Sequence, residues 1–382
     1  MKSLSATLLL AASSAFAQNA PAVSQKEIDD AIARGVTYLK TAPSPGGHLQ
    51  TNCDELIFLT ILHAGMSEKD PVFKKYLESA LTCELKHTYK VALLAMCLEE
   101  LDRVKYQVRI AHCAQFLVDN QCPNGQWTYG RPTDLKHIPY VEQPSSVASG
   151  SKPRNAAIEF DAERVKPKVV RRIPIKRNAE LGGESGDNSN TQYAALGLRA
   201  CYDAGIELPE ATVHLARKWL VESQCADEGA KAAGDKKAVA SGGSDKIQGW
   251  NYKDAASANP YHAMTAGAVG AVVIYDHILG VDWRKDPVAR AGVAWLGKHF
   301  SVNTNYYYMY GLERAGMLYG TDTFGTRAWY PEGAALLLKQ QKPDGSWGTR
   351  ENKDENTWDT CFAILFLKKA TRAIATEGSR KK

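Results

Sequence analysis

Long apolar runs are scarce in this 382-residue sequence. Past the first seventeen positions no uninterrupted apolar stretch approaches the roughly 20 residues that cross a bilayer, so no transmembrane anchor is expected. CxxC pairs are absent too, which removes the strongest signal for a zinc ribbon or a thioredoxin-type redox centre. There is little excess charge of either sign: 47 Lys and Arg stand against 42 Asp and Glu, a formal balance of +5. A bias that small, in a chain this long, gives no argument for nucleic acid.

What is present begins with a leader. Lys2 precedes an apolar run from Leu8 to Ala12, and Ala15-Phe16-Ala17 puts small residues where a signal peptidase reads. Residues 1–17 are therefore expected to be a Sec signal peptide cut before Gln18, with the protein periplasmic or extracellular. No Cys follows the cut to carry a lipid. Eight cysteines in an exported chain permit up to four disulfides, and Cys53 with Cys83, each just before a helix of neighbouring hairpins, is the favoured bridge.

Length alone suggests two domains, but a repeat overrides that expectation. Gly65, Gly205, Gly280 and Gly316 each end an apolar helical run, and Pro71, Pro209, Pro287 and Pro331 follow where a first helical turn accepts a residue with no N–H. Helices carry an aromatic residue followed by Leu: Tyr38-Leu39, Tyr76-Leu77, Phe116-Leu117, Trp219-Leu220 and Trp295-Leu296. The first three aromatics lie 38 and 40 residues apart, the period of a two-helix repeat. Six hairpins result, each an amphipathic outer helix with a wet face and a more uniformly apolar inner one starting near Asp54, Tyr89, Thr191, Ala263, Tyr306 and Thr357. The sixth inner helix contains Phe362-Ala363-Ile364-Leu365-Phe366-Leu367, too apolar to cap an open solenoid, so the hairpins are expected to close into an all-α (α/α)6 toroid.

The toroid is assigned to residues 18–130 and 187–377. A Pro-, Ser- and charge-rich insertion, 131–186, interrupts it; between Ser151 and Glu180 it holds nine Lys or Arg against four Asp or Glu. Its run from Val165 to Arg172 reads as an edge strand, a grip for an anionic partner, or a solvated loop. A second insertion, 226–246, reads as a flexible linker, and 378–382 as a basic tail.

Two segments carry a family resemblance. Gln121-Cys122-Pro123-Asn124-Gly125-Gln126-Trp127 and Gln341-Lys342-Pro343-Asp344-Gly345-Ser346-Trp347 resemble the QxxxGxW repeat of squalene and oxidosqualene cyclases, and Gln224 with Gly249-Trp250 looks like a third, interrupted copy. With the six hairpins, the similarity extends to the terpenoid cyclase and protein prenyltransferase toroid. It implies that each Gln braces helix ends while the Trp stacks beneath them. The departures bear on activity: the DxDD acid of bacterial squalene cyclases and the DDxxD-type cluster that holds diphosphate through magnesium are both missing. Neither activity is inherited from the fold alone.

In such toroids the inner-helix N-termini converge on one mouth of a central cavity. The residues expected there to bind a ligand are Asp54, His87, Asn188, Gln192, Tyr261, Tyr306, Tyr307, Tyr310 and Trp358, together with Tyr89, Asp187 and Thr265. For Asp54, Asn190, Asn305 and Asn356 helix capping is the competing reading. Protein prenyltransferases bind catalytic zinc through an Asp, a Cys two residues later and a His from another inner-helix start; Asp359, Cys361 and His262 are similar in type but differ in order. His262 and Asp359 also suit a general acid–base pair, with Cys361 a weaker nucleophile candidate. Three functions follow: a toroid binding an apolar, isoprenoid or glycan ligand in its central cavity; an enzyme at the cavity mouth, isoprenoid-modifying or a polysaccharide lyase or hydrolase; and a scaffold of a surface assembly.

Overall fold

The computed structural model describes residues 23–42, 54–138, 166–226, 246–255, 259–348 and 353–374. The expected leader, the second insertion between its end residues, the basic tail and Cys53 lie outside these. Among the described residues there are twelve helices: α1 (Gln25–Thr41), α2 (Asp54–His63), α3 (Pro71–Thr82), α4 (Thr88–Asp102), α5 (Gln107–Asp119), α6 (Asn188–Asp203), α7 (Glu210–Glu222), α8 (His262–Ile278), α9 (Pro287–Lys298), α10 (Tyr306–Tyr319), α11 (Trp329–Gln340) and α12 (Lys353–Leu367). The even-numbered helices form the inner ring. Each packs on the next, and α12 packs back on α2, which closes the toroid. Outside it, α3 lies on α2, α5 on α4 and α6, α7 and α9 on α8, α11 on α10 and α12, and α1 on α12 and α11.

Composition explains the two layers. Every residue of α8 from Ala263 to Asp276 is buried, as a helix with neighbours on all sides requires, whereas α3 buries only Phe73, Tyr76 and Ala80 on one stripe. Inner helices approach closely where side chains vanish: a Cβ on Gly197 of α6 would lie 2.8 Å from the Ala92 Cα of α4. Start signals are read locally. Ser24 and Glu27 make a capping box on α1, and Asp70, Asp187, Asp286 and Asn305 each accept a first-turn N–H.

Several boundaries differ from the sequence reading. Gly65, Gly205 and Gly280 adopt the left-handed conformation expected at helix ends, but for α10 that residue is Gly320; Gly316 lies within the helix, where the Trp329 indole leaves no room for a Cβ. Pro331 stands inside α11 after its start at Trp329. The cap of α6 is Asp187, with Asn190 as the donor to it, and Asn356 lies within α12. The seven described cysteines form no disulfide with one another, and all are buried except half-buried Cys83.

The larger difference concerns α5. An outer helix should keep one face in water, yet all thirteen residues of α5 are buried, including Arg109, His112, Gln115 and Asp119. The two described arms of the first insertion cover it. On one side His112 bonds the Ile138 carbonyl, at 2.6 Å, and Asn120 pairs with the Arg131 backbone. On the other, residues 166–181 run the length of the helix: Arg103 holds the Pro167 carbonyl, Gln107 that of Arg171, Gln115 that of Lys176, and Asp119 accepts from the Asn178 and Ala179 N–H groups. Midway, β1 (Ile173–Pro174) pairs in parallel with β2 (Ile206–Glu207) and buries Ile173 and Ile175. This second arm is a fixed strap, with its strand just beyond the run singled out in the sequence. A two-stranded antiparallel piece, β3 (Thr323–Phe324) with β4 (Arg327–Ala328), precedes α11.

Candidate functional site: the mouth at the inner-helix N-termini

Three equivalent clasps set the geometry of this mouth. The indole N–H of Trp127, Trp250 and Trp347 donates to the carbonyl of Leu117, Leu220 and Leu337, at 2.8, 2.9 and 2.8 Å, on the outer helix just ended. The backbone N–H of each Trp donates to a threonine hydroxyl, Thr191, Thr265 or Thr360, in the first turns of the following inner helix. The amide of Gln121, Gln224 and Gln341 donates to the carbonyl of Thr212, Val288 and Ala31, at 2.9, 3.0 and 2.8 Å, on the outer helix of the next hairpin. Each unit thus ties three helices. The Gln341 clasp joins the last hairpin to α1, where Arg34 also donates to it, and so completes the ring. Gly125 and Gly345 adopt positive φ of 94° and 87°, and a Cβ there would strike the Leu215 and Arg34 carbonyls.

With the inner-helix starts so held, their side chains meet on the axis. The Tyr307 hydroxyl lies 2.7 Å from Ser189 Oγ and 2.7 Å from Gln192 Nε2, and Tyr89 bonds Ser189. Gln192 accepts from Arg314 at 2.9 Å; the guanidinium, 2 % exposed, lies over the Tyr310 ring at 4.2 Å and the Tyr193 ring at 5.2 Å. Tyr193 stacks with Tyr307 and packs at a tilt on Tyr89, and Tyr310 stacks with Phe362. Burial, above all, raises the phenols of Tyr89, Tyr193 and Tyr307. They stay protonated at neutral pH, so the axis is a hydrogen-bonding plug of neutral phenols around one guanidinium and holds no phenolate base.

Above the plug the mouth is rimmed by exposed tyrosines. Tyr129 (46 %), Tyr252 (40 %) and Tyr261 (40 %) are exposed, and Tyr129 and Tyr252 each stand two residues beyond a clasp tryptophan. Their positions are fixed by backbone: Thr88 N–H donates to the Tyr129 carbonyl, Asn188 N–H to that of Tyr252, and Tyr261 N–H to that of Trp250. Burial and then neighbouring Tyr307 and Asp187 push the Tyr261 phenol up to about 12. Asp187, raised by burial against its bonds to Asn190, is the nearby carboxylate.

The residues nominated from sequence divide accordingly. Gln192, Tyr307 and Tyr310 belong to the plug, and Tyr261 to the rim. Asn188 is spent on the Trp219 indole and the Asn251 carbonyl. Tyr306 is buried toward Asp359. Asp54 opens α2, half-buried. His87, the N-cap position of α4, has its Nδ1 buried without a partner, and burial lowers it; half-buried Trp358 likewise has an unpartnered Nε1. His262 and Asp359 are apart: the imidazole bonds the His299 carbonyl between the Trp295 and Tyr308 rings, while Asp359 lies beside Gly348 and Tyr306. Cys361 is wholly buried, and burial pushes its thiol up to about 12. Among the described residues no three His, Cys, Asp or Glu side chains gather as metal ligands. Sequence reasoning missed Ser189, Tyr193, Arg314, Tyr129 and Tyr252. The recurring Trp-x-Tyr spacing and the charged Glu313-Arg314 pair inside an apolar helix were the available signals.

The opposite mouth, at the C-terminal ends, is charged. A cavity of about 70 Å³ there is lined by His63, Met96, Glu99, Glu100, Lys166 and Arg372, among others. Lys166 from the strap bonds Glu99 and lies 2.9 Å from Glu100, and Arg372 from the C-terminal segment grips Glu100 at 2.9 and 3.1 Å. Another cavity, about 240 Å³, lies between α9 and the β3–β4 hairpin.

No family model matches this chain, and no curated protein matches it. Among solved structures it is similar to the type II terpene cyclase MstE from Scytonema in its apo form, at 12 % identity, over 90 % of this chain and 99 % of that one, with a TM-score of 0.32. A likeness that distant says nothing about chemistry.

Proposed function

We propose that this protein is an exported, non-catalytic toroid that binds a glycan across its inner-helix N-terminal mouth. The observation that carries the reading is the pairing of a filled axis with an exposed rim. Isoprenoid chains need enclosed apolar volume, and ligand pockets usually span about 300–1,000 Å³. Here the axis is occupied by Tyr193, Gln192, Tyr310 and Arg314, and the cavities near 70 and 240 Å³ lie elsewhere. Tyr129, Tyr252 and Tyr261 instead offer apolar ring faces with polar hydroxyls, which suits sugar rings lying flat on the surface. The raised phenols and the separation of His262 from Asp359 favour binding over acid–base chemistry. The leader-like sequence supports export.

The test is calorimetric titration with cello-, xylo- and chito-hexaose. At least one should bind, and Tyr252→Ala with Tyr261→Ala should weaken it about tenfold while the melting temperature stays put. If none binds, or the double variant binds as tightly as the parent, the reading is wrong.

A further inference from the structure

The strap has two faces that the mouth does not involve. Its odd-numbered side chains turn inward: Ile173 and Ile175 are buried, and Arg177 donates to Gln121 and to Thr212. Even-numbered Lys168, Val170, Arg172, Pro174 and Lys176 face solvent, Val170 at 85 %, and Arg171 is exposed beside them. This is the period-2 alternation of an extended chain lying on a surface. Of six cationic side chains between 166 and 181, Lys166 and Arg177 are engaged inward. Lys168, Arg171, Arg172 and Lys176 have no carboxylate partner among the described residues. They span about 26 Å along the chain at ~3.3 Å per residue. The backbone beneath is fixed by the bonds from Arg103, Gln107 and Gln115 and by the pairing with β2. These four cations are exposed to solvent, and the backbone that carries them is held in place.

We propose that the outward face of residues 168–176 is a docking track for a linear anionic polysaccharide, one bearing uronate carboxylates. Three observations select that partner. An added peptide strand is disfavoured, because the Ile173 and Ile175 N–H groups donate to the Gly205 and Glu207 carbonyls and Pro174 has none to offer the outer edge. A flat anionic membrane would also meet exposed Glu207 and Glu210 alongside the row, whereas a single chain can follow the row and miss them. Single-stranded nucleic acid is held by aromatic platforms between the cations, and the strap has no aromatic residue. Carboxylates strung along one chain meet the guanidinium and ammonium groups one after another, each contact weak and the set additive.

Binding to immobilised polygalacturonate at low ionic strength tests this. The parent protein should bind and be released by salt, since exposed charges are screened within about 8 Å at physiological strength. The variant K168A/R171A/R172A/K176A should lose at least about tenfold in affinity with an unchanged melting curve, because these side chains are exposed. A variant with the same change in charge elsewhere, K74A/K75A/K218A/K285A, should bind like the parent, as should Tyr252→Ala, which separates this track from the mouth. The proposal is overturned if the parent does not bind polygalacturonate, if the strap variant loses less than that, or if the two quadruple variants lose affinity equally. Tighter binding of a single-stranded oligonucleotide or of phosphatidylserine vesicles than of polygalacturonate also overturns it.

Discussion

The two mouths of the toroid are built from opposite ends of the same six helices, yet they are closed by different physics. At the N-terminal mouth the repeat itself does the work: clasp tryptophans and glutamines tie backbone to backbone, and the axis is filled by neutral hydroxyls, an amide and stacked rings around one guanidinium. At the C-terminal mouth, segments foreign to the repeat are pinned by charge, with Lys166 from the strap and Arg372 from the chain's end meeting on Glu99 and Glu100. A feature repeated in three of the six hairpins can specify the fold, while a feature added once can only fasten something to it.

The comparison is tested most severely by removing a clasp. Trp250 is fully buried, and Trp250→Ala should cost about 3–5 kcal/mol through lost burial, an unfilled cavity and an orphaned Leu220 carbonyl, read as a fall in the urea midpoint. Lys166→Met should cost less, about 3 kcal/mol, by leaving Glu99 and Glu100 side by side and buried. Adding Glu99→Gln and Glu100→Gln to it should restore much of the loss, whereas no second change at a distance should rescue Trp250→Ala. If the order of the two effects is reversed, charge and not the clasp holds this ring together.

How much of this was legible beforehand follows the same division. The closed ring could be read because burial on all sides leaves a compositional mark: α8 is nearly pure apolar and small residues, and the Gln-to-Gly-Trp segments recur at matched places. The strap could not, because Ile173 and Ile175 are two apolar residues in a cationic run, and only the waterless sequence of α5, Gln107 to Asp119 with no Lys or Glu, hinted that something covers it. Site residues were legible by position and not by partner. Spacing put Gln192 and Tyr307 at helix starts, but their meeting depends on packing between α6 and α10, which pattern does not encode. His262 and Asp359 were nominated on residue type alone, and tertiary context gave each a different set of neighbours.

A gentler probe is pH, where Glu55 at one end and Glu100 at the other carry opposite signs. Glu55, in the first turn of α2, is pushed up to about 7 by burial despite Lys90 at 3.6 Å. Between pH 4.5 and 7 the folded chain keeps a proton that the unfolded chain has released, so stability should fall as pH rises through that window. Glu100 is the reverse: burial would raise it, but His63, Lys166 and Arg372 together hold it far below the carboxylate range. Its contribution is present above the unfolded value, near 4.3, and is lost as pH falls through the folded one. Urea midpoints between pH 3 and 8 should therefore show Glu55→Gln flattening the neutral side, with Glu313, also near 7, leaving a residual slope, and Glu100→Gln flattening the acid side. The same change from both variants would mean that the two mouths do not differ electrostatically.

The smallest expected effect lies within the plug. Ser189→Ala removes a hydroxyl bonded to Tyr89 and Tyr307, at a position 8 % exposed, and should cost about 1 kcal/mol. The cost stays small because the two phenols keep each other, at 3.5 Å, and Tyr307 keeps Gln192. If the plug is instead a chain in which each bond polarises the next, the loss would pass to Arg314 through Gln192, and Ser189→Ala with Gln192→Leu would cost less than the sum of the two separately, because the shared strengthening is lost only once. A double-mutant cycle on those two positions distinguishes the outcomes, and additivity would mean that the axis is filled by independent contacts meeting at one place.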